Sequence, residues 1–158
     1  MAAQVPDRIL YNQEYFSLCT NPLEMYWSTL RKRRPRFSVR EDCRRGYIAT
    51  WEIRDNQLFL LEIDGFVNRL FTLWGKPEVH YSMRKLFGQR KKVVKAMWFS
   101  GKLRIPVGHM ILYADKGYDA RYAKEILVTV TSGNVDRVVT LDKANHKLIV
   151  NEGVATTR

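Results

Sequence analysis

GYIATWEIRDNQLFLLEI, Gly46 to Ile63, decides how the rest of the chain is read. Tyr47, Ala49, Trp51 and Ile53 alternate with Ile48, Thr50 and Glu52, a period of two that suits a strand rich in aromatic and β-branched residues. Asp55-Asn56 is a tight-turn pair, and Gln57 to Ile63 returns with Phe59, Leu61 and Ile63 set against Leu58, Leu60 and Glu62. The stretch is a β-hairpin, and the sheet it starts frames the fold.

Upstream, Asn21-Pro22-Leu23-Glu24 reads as a helix start, with Asn at the N-cap, Pro at the first helical position and Glu placed to close a capping box. Leu23, Tyr26, Trp27 and Leu30 then form one apolar stripe, so a helix is expected over Pro22–Lys32. Pro35 cannot continue it. Arg31 and Lys32 are explained as cations on its last turn, facing the negative end of the helix dipole.

Downstream of Gly65, Phe66 to Trp74 fits strand or helix, and Val79, Met83, Leu86 and Phe87 predict a second helix over Pro77–Phe87 capped by Gly88. Val93–Phe99 and Lys102–Pro106 flank Ser100-Gly101 as a second hairpin. Short strands follow at Met110–Tyr113, Ile126–Thr131 and Val135–Leu141, the last two joined by Ser132-Gly133-Asn134. Lys116 to Tyr122 reads as an exposed loop and Asn151 to Arg158 as a frayed polar tail. The expected fold class is α+β: a mostly antiparallel sheet of about six to eight strands with two helices packed on one face or end. At 158 residues, without internal repeats or low-complexity linkers, residues 1–158 are expected to form one domain.

The balance of 27 Lys and Arg against 16 Asp and Glu gives +11, which favours contact with polyanions or acidic protein surfaces. The charge sits in two windows. Residues 31–45 hold eight bases and two acids, and residues 84–95 hold six bases and no acid, so each nets +6. Their cations are the candidate binding residues: Arg31, Lys32, Arg33, Arg34, Arg36, Arg44 and Arg45 from the first, and Arg84, Lys85, Arg90, Lys91, Lys92 and Lys95 from the second. Phe37, Tyr47, Phe87, Trp98 and Tyr118 are candidate stacking platforms for bases, although strand alternation assigns Tyr47 and Trp98 to the core. RKRRPR also matches a nuclear-import signal by composition alone.

Catalytic and metal motifs do not stand out. His80, His109 and His146 are far apart, with no HExxH, no paired Cys-x-x-Cys and no phosphate-binding glycine loop, so no metal and no cofactor is expected. Glu62 and Asp64 fall on one strand face as a possible acid and base pair, and Ser100 reads as a turn residue. Cys19 and Cys43 are too few for a disulfide framework and read as free structural thiols, Cys19 buried in YFSLC. MAAQVPDRIL has no signal-peptide pattern, and Glu62, Asp64 and Arg69 break the most apolar window, so a cytoplasmic chain without a transmembrane segment is expected.

Three segments carry a resemblance: Asn21-Pro22-Leu23-Glu24, Arg45 to Ile53 (RGYIATWEI), and Trp98 to Pro106 (WFSGKLRIP). With a late Gly-Tyr loop, in this order, they resemble a group of small uncharacterised bacterial proteins across about Leu10 to Gly133. The resemblance implies a single compact bacterial domain and carries over no activity or functional residue. Cys43-Arg44 before Arg45-Gly46, and the density of cations, depart from that group.

The expected function is that of a non-enzymatic interaction protein whose basic surface binds an acidic partner, nucleic acid first. The alternatives are a bacterial immunity or accessory protein that binds another protein, and an enzyme with a dispersed site. The sequence leans away from an enzyme and says nothing of oligomeric state.

Overall fold

A computed structural model describes residues 2–68 and 78–151. Its centre is the expected hairpin, β3 (Tyr47–Arg54) and β4 (Gln57–Asn68). Asp55 and Asn56 adopt φ of 51° and 54°, the left-handed pair that a twisted two-residue hairpin turn requires. Tyr47 stands opposite Gly65 and Trp51 opposite Leu60, with a register shift between Thr50 and Trp51. That shift keeps Trp51, Leu58, Leu60 and Ile63 all fully buried.

The other elements in chain order are β1 (Asp7–Tyr11), β2 (Glu14–Leu18), α1 (Pro22–Thr29), β5 (Glu78–Tyr81), α2 (Met83–Phe87), β6 (Val94–Lys95), β7 (Gly101–Leu112), β8 (Arg121–Thr131), β9 (Asn134–Asp142) and β10 (Lys147–Asn151). The main path runs β2-β1-β3-β4-β9-β8-β7, with β10 beside β9 and both β5 and β6 beside β4. Ten strands in one open mixed sheet, among the described residues, make the protein predominantly β. This corrects the α+β expectation. The two helices span eight and five residues and cannot form a layer.

The antiparallel expectation is corrected at one place: β1 pairs parallel with β3, Ile9 beside Trp51. β1 and β2 form a hairpin turned by Asn12 and Gln13 at φ of 49° and 65°. The main-chain N–H of Cys19, just past β2, donates to the Arg104 carbonyl on β7 (2.9 Å), so the two ends of the open sheet meet.

Boundaries moved elsewhere too. α1 stops at Thr29, so Arg31 and Lys32 lie beyond its last turn, and the Lys32 N–H donates to the Trp27 carbonyl (2.9 Å). The Asn21 side chain makes no cap bond. The expected second helix divides into β5 and α2, with Pro77 outside the described residues. β4 runs on to Asn68, and the remainder of Phe66–Trp74 is likewise outside them. Val93–Phe99 contributes only β6, which pairs with β4 instead of forming a hairpin with β7. Lys102–Pro106 and Met110–Leu112 belong to one long β7, broken in register after Val107. The β8–β9 hairpin is as expected, with longer arms. Asn151 ends β10, and the rest of the tail lies outside the described residues.

Both α1 and the segment after it pack on an aromatic cluster. Tyr26 makes edge contacts with Trp27, Phe87 and Trp98, while Phe37 meets Trp27, Tyr47 and Tyr81. Tyr47 is buried on β3 as the alternation indicates, and Trp98 is buried too, but from the turn after β6 and not from a strand. The cluster needs two glycines. Gly46 has φ of 78°, and a Cβ there would stand 2.5 Å from that of Phe37; at Gly65 it would stand 2.8 Å from the Cβ of Tyr47. Each basic window is anchored in this cluster, the first between Trp27 and Phe37, the second from Tyr81 through Phe87.

Candidate functional site

The first basic window folds inward where β1, α1 and β3 meet. Asp7 is fully buried, because Ile9 beside it is a core residue of β1 and the parallel pairing sets both against β3. Its Oδ1 accepts from Arg45 Nη2 (2.8 Å), Arg45 Nε (3.2 Å) and the Ala49 N–H (3.0 Å), and its Oδ2 from Trp51 Nε1 (3.0 Å). Arg45 Nη1 donates onward to the Val5 carbonyl (2.7 Å) and the Tyr118 hydroxyl (3.0 Å). Tyr118 in turn donates to Asn21 Oδ1 (2.9 Å), which explains the missing helix cap.

Burial pushes the Asp7 carboxyl up from its ordinary range, against the opposing pull of Arg45 and the two N–H donors. Burial disfavours the Arg45 charge, but Asp7 outweighs it and holds the guanidinium protonated. Burial also pushes the Tyr118 phenol up to about 12, so it keeps its proton at neutral pH.

A second ion pair lies alongside. Arg34 reaches Glu24 with Nη2 (3.0 Å) and Nε (3.3 Å), donates to the Arg45 carbonyl (2.7 Å), and stands 5.1 Å from the Phe37 ring centre. Glu24 also accepts from the Tyr47 hydroxyl (2.8 Å), whose pKa burial raises. Glu24, Arg34 and Arg45 border a cleft of about 490 Å³, with Arg44 and Lys116 also lining it and Asp7 buried behind. Residues from two of the three segments behind the resemblance, Asn21 with Glu24 and Arg45, line this cleft with Gly117-Tyr118 of the late loop, while Trp98–Pro106 does not. Chemically this is a set of satisfied hydrogen bonds. A half-buried Tyr118 also departs from the exposed loop expected at Lys116–Tyr122.

The remaining first-window candidates spread over the surface. Arg31, Lys32, Arg33, Arg36 and Arg44 are exposed; the Arg36 carbonyl accepts from the Asn68 N–H (3.1 Å), and the Arg44 N–H donates to Gln4 Oε1 (2.9 Å).

The second window turns outward. Arg84, Lys85, Arg90, Lys91 and Lys92 are exposed and make no ion pair among the described residues; Lys95 is half-buried and donates to Asn134 Oδ1 (2.7 Å). Arg84, Lys91 and Lys92 line one groove of about 460 Å³ together with Tyr15, Glu62 and His80. The Tyr15 ring is 63% exposed, and nearby Phe66, 48% exposed, sits edge-on to His80. Glu62 thus faces cations, while Asp64 pairs with His80 Nε2 (3.0 Å) on the open surface, so the two carboxylates do not form a closed acid and base pair.

Of the candidate cations, Arg84, Lys91 and Lys92 line this groove, whereas its aromatic ring, Tyr15, is not among the candidate platforms. Phe37, Tyr47, Phe87, Trp98 and Tyr118 are all buried or half-buried, whereas Tyr15 in the groove, and Phe66 and Tyr113 outside it, are exposed. The signal for Tyr15 was its position on β2 opposite Leu10, facing away from Phe16.

Among the described residues no group of three His, Cys, Asp or Glu is placed to hold a metal, and no helix is long and apolar enough to cross a membrane. Cys43 is buried and Cys19 only half-buried, raised in pKa by that burial. No protein-family model, no curated protein and no solved structure matches the chain.

Proposed function

We propose that the protein is a non-enzymatic binding module that takes a single-stranded nucleic acid in the groove between β2, β4 and the α2 segment. One observation carries this reading: Arg84, Lys91 and Lys92, which make no ion pair among the described residues, share a groove with the open face of Tyr15. Cations that track phosphates beside an aromatic ring that stacks on a base are the two parts of sequence-tolerant single-strand binding. Arg33 and Arg36 are also exposed but do not line this groove.

The test is anisotropy of labelled single-stranded DNA and RNA across a salt series. Binding is expected to weaken with salt, the log–log slope falling by about 0.7 for each phosphate contact removed. Tyr15→Ala is expected to weaken binding by about 1 to 3 kcal/mol with the slope unchanged. Binding absent at low salt, or indifferent to reversal of Arg84, Lys91 and Lys92 to Glu, sinks the proposal.

A further inference from the structure

The end of the sheet where β7 leads into β8 is left uncovered. Met110, Ile111, Leu112 and Tyr113 are all exposed, the longest unbroken run of large apolar side chains open to solvent among the described residues. Exposed apolar residues scattered singly need no explanation, but a contiguous set marks a contact surface. Met110 stands opposite Tyr122 and Leu112 opposite Arg121; neighbours on β8 point to opposite faces, so Met110 and Leu112 do too, and both faces are bare. The topology leaves them so. The β8–β9 ladder ends at Lys124 and Asp142, and β7 is last in the strand path, so Met110–Leu112 and Arg121–Tyr122 form a two-stranded ribbon with no strand paired on either side among the described residues.

Cations flank the same end. Arg121 is on the ribbon itself, and the turn between β9 and β10 comes alongside, since Ile111 and Arg121 line one groove of about 530 Å³ with Lys143, His146 and Lys147. Lys124, Asp142 and Lys147 are in register across β8, β9 and β10, which puts Lys147 on the face opposite to Arg121, three positions before Lys124. Neither Arg121 nor Lys147 makes an ion pair among the described residues, whereas Lys143 is held by Glu125 (3.1 Å), and Asp142 by Asn145 (3.0 Å) and Lys124 (4.0 Å). The loop that follows carries Asp115, Lys116 and Asp119. It is tied back through the Gly117 carbonyl, which accepts from the Gln4 N–H (3.0 Å), and the Ala120 carbonyl, which accepts from Arg104 Nη2 (2.8 Å).

The apolar run and the cations together select the partner. A nucleic acid would meet the cations but set the run from Met110 to Tyr113 against its charged backbone. A second copy of the chain would bring unpaired cations against their equals in a molecule of net +11. A folded protein would need a slot shaped to both sides of the ribbon, whereas a lipid surface closes around it. We infer that this end of the sheet docks on an anionic membrane surface. Met110, Ile111, Leu112 and Tyr113 enter the headgroup layer, and Arg121 and Lys147 meet acidic headgroups from either face. Apolar burial combined with attraction to anionic lipid gives a peripheral contact its strength, and a tyrosine suits that depth. Insertion stops there, because the unpaired backbone edge of β7 needs water that the hydrocarbon layer lacks.

The experiment mixes the full chain with vesicles of phosphatidylcholine, alone or with phosphatidylserine, and measures co-sedimentation at physiological salt. The chain is expected to sediment with the phosphatidylserine vesicles and not with the neutral ones, and bound chain to show slowed hydrogen exchange at Met110–Tyr113. Ile111→Ser with Leu112→Ser is expected to weaken binding about tenfold or more, and Tyr113→Ser, beyond the last ladder pair, to weaken it less. Both leave single-strand binding unchanged, which separates this surface from the groove beside Tyr15. Arg121→Glu with Lys147→Glu is expected to cost more vesicle binding than Lys91→Glu with Lys92→Glu, an equal change of charge elsewhere. All of these residues are exposed, and a thermal melt confirms that the variants fold. The inference is overturned by absent binding to phosphatidylserine vesicles, equal binding to neutral ones, binding indifferent to the apolar substitutions, equal losses from the two charge reversals, or a sedimenting dimer that Ile111→Ser with Leu112→Ser dissolves.

Discussion

Two segments of the same net charge meet opposite fates in this fold. The window 31–45 directs Arg34 and Arg45 inward onto Glu24 and Asp7, whereas the window 84–95 leaves five of its six cations on the surface without an ion pair among the described residues. Composition does not separate them; the neighbours do. Asp7 is 38 residues before Arg45 and reaches it because β1 lies parallel beside β3. A run of bases therefore stays open to a partner only where the fold pairs its cations with no carboxylate.

The sharpest way to break this contrast is Arg45→Ala. It strands a fully buried Asp7 charge, and about 3 to 5 kcal/mol of stability should be lost, read as a lower urea midpoint. Replacing Asp7 by Leu in the same chain should restore only part of the loss. The Ala49 N–H and Trp51 Nε1 then lose their acceptor, and each unsatisfied donor costs about 1 to 3 kcal/mol. Full recovery would mean that the pair does not organise β1 against β3.

Glu125 extends the inward pattern to the other end of the sheet. Buried on β8, it accepts from Arg104 Nη2 (2.6 Å) and Lys143 Nζ (3.1 Å), while Arg104 also donates to the carbonyls of Tyr118 and Ala120. Burial raises the Glu125 pKa, but the two cations outweigh it and hold the carboxyl below its ordinary 4.5. A depressed carboxylate stabilises the fold at pH well above 4.5, and that contribution disappears as pH falls through the folded-state value. Glu125→Gln should cost about 1.5 to 3 kcal/mol at neutral pH, and its melting curve should converge with that of the parent in acid. A difference that persists unchanged at low pH would contradict the ion pairing.

Arg34→Ala should cost less, about 1 kcal/mol, because Arg34 and Glu24 are both partly open to water. Glu24 keeps the Tyr47 hydroxyl as a donor, which limits the damage. A loss as large as that of Arg45→Ala would place Arg34 in the same buried network and narrow the contrast to a single cleft.

The β3–β4 hairpin was legible because its signals are local: alternation along each strand and a turn pair between them. The same kind of signal exists in Asp7 to Leu18, where Asn12-Gln13 separates two short strands, but Gln13 is not a customary turn residue and marks the turn weakly. α1 was visible from Pro22, and its end was overestimated because Leu30 continues the apolar stripe while being 46% exposed. The burial of Arg45 was not visible at all. It depends on a parallel strand contact and on Tyr118, 73 residues away, and no window of sequence contains both. The groove was half legible for the same reason, since its lysines are consecutive while Tyr15 arrives on a different strand.

The smallest effect on stability should come from the change with the largest effect on the proposed function. Lys91→Glu with Lys92→Glu alters two exposed side chains that make no ion pair among the described residues, so the unfolding free energy should stay within about 0.5 kcal/mol of the parent. The same double variant turns two groove cations into acids beside Glu62, and the salt slope for a single strand should fall by at least the contribution of two phosphates, about 1.4. Arg33→Glu with Arg36→Glu is the matched control, equal in charge change, exposed, and outside the groove. Screening over about 8 to 10 Å at physiological salt confines its influence, so binding should weaken less than for the lysine pair. Equal losses from both pairs would show that net charge alone attracts the strand, and the groove beside Tyr15 would have no special claim on it.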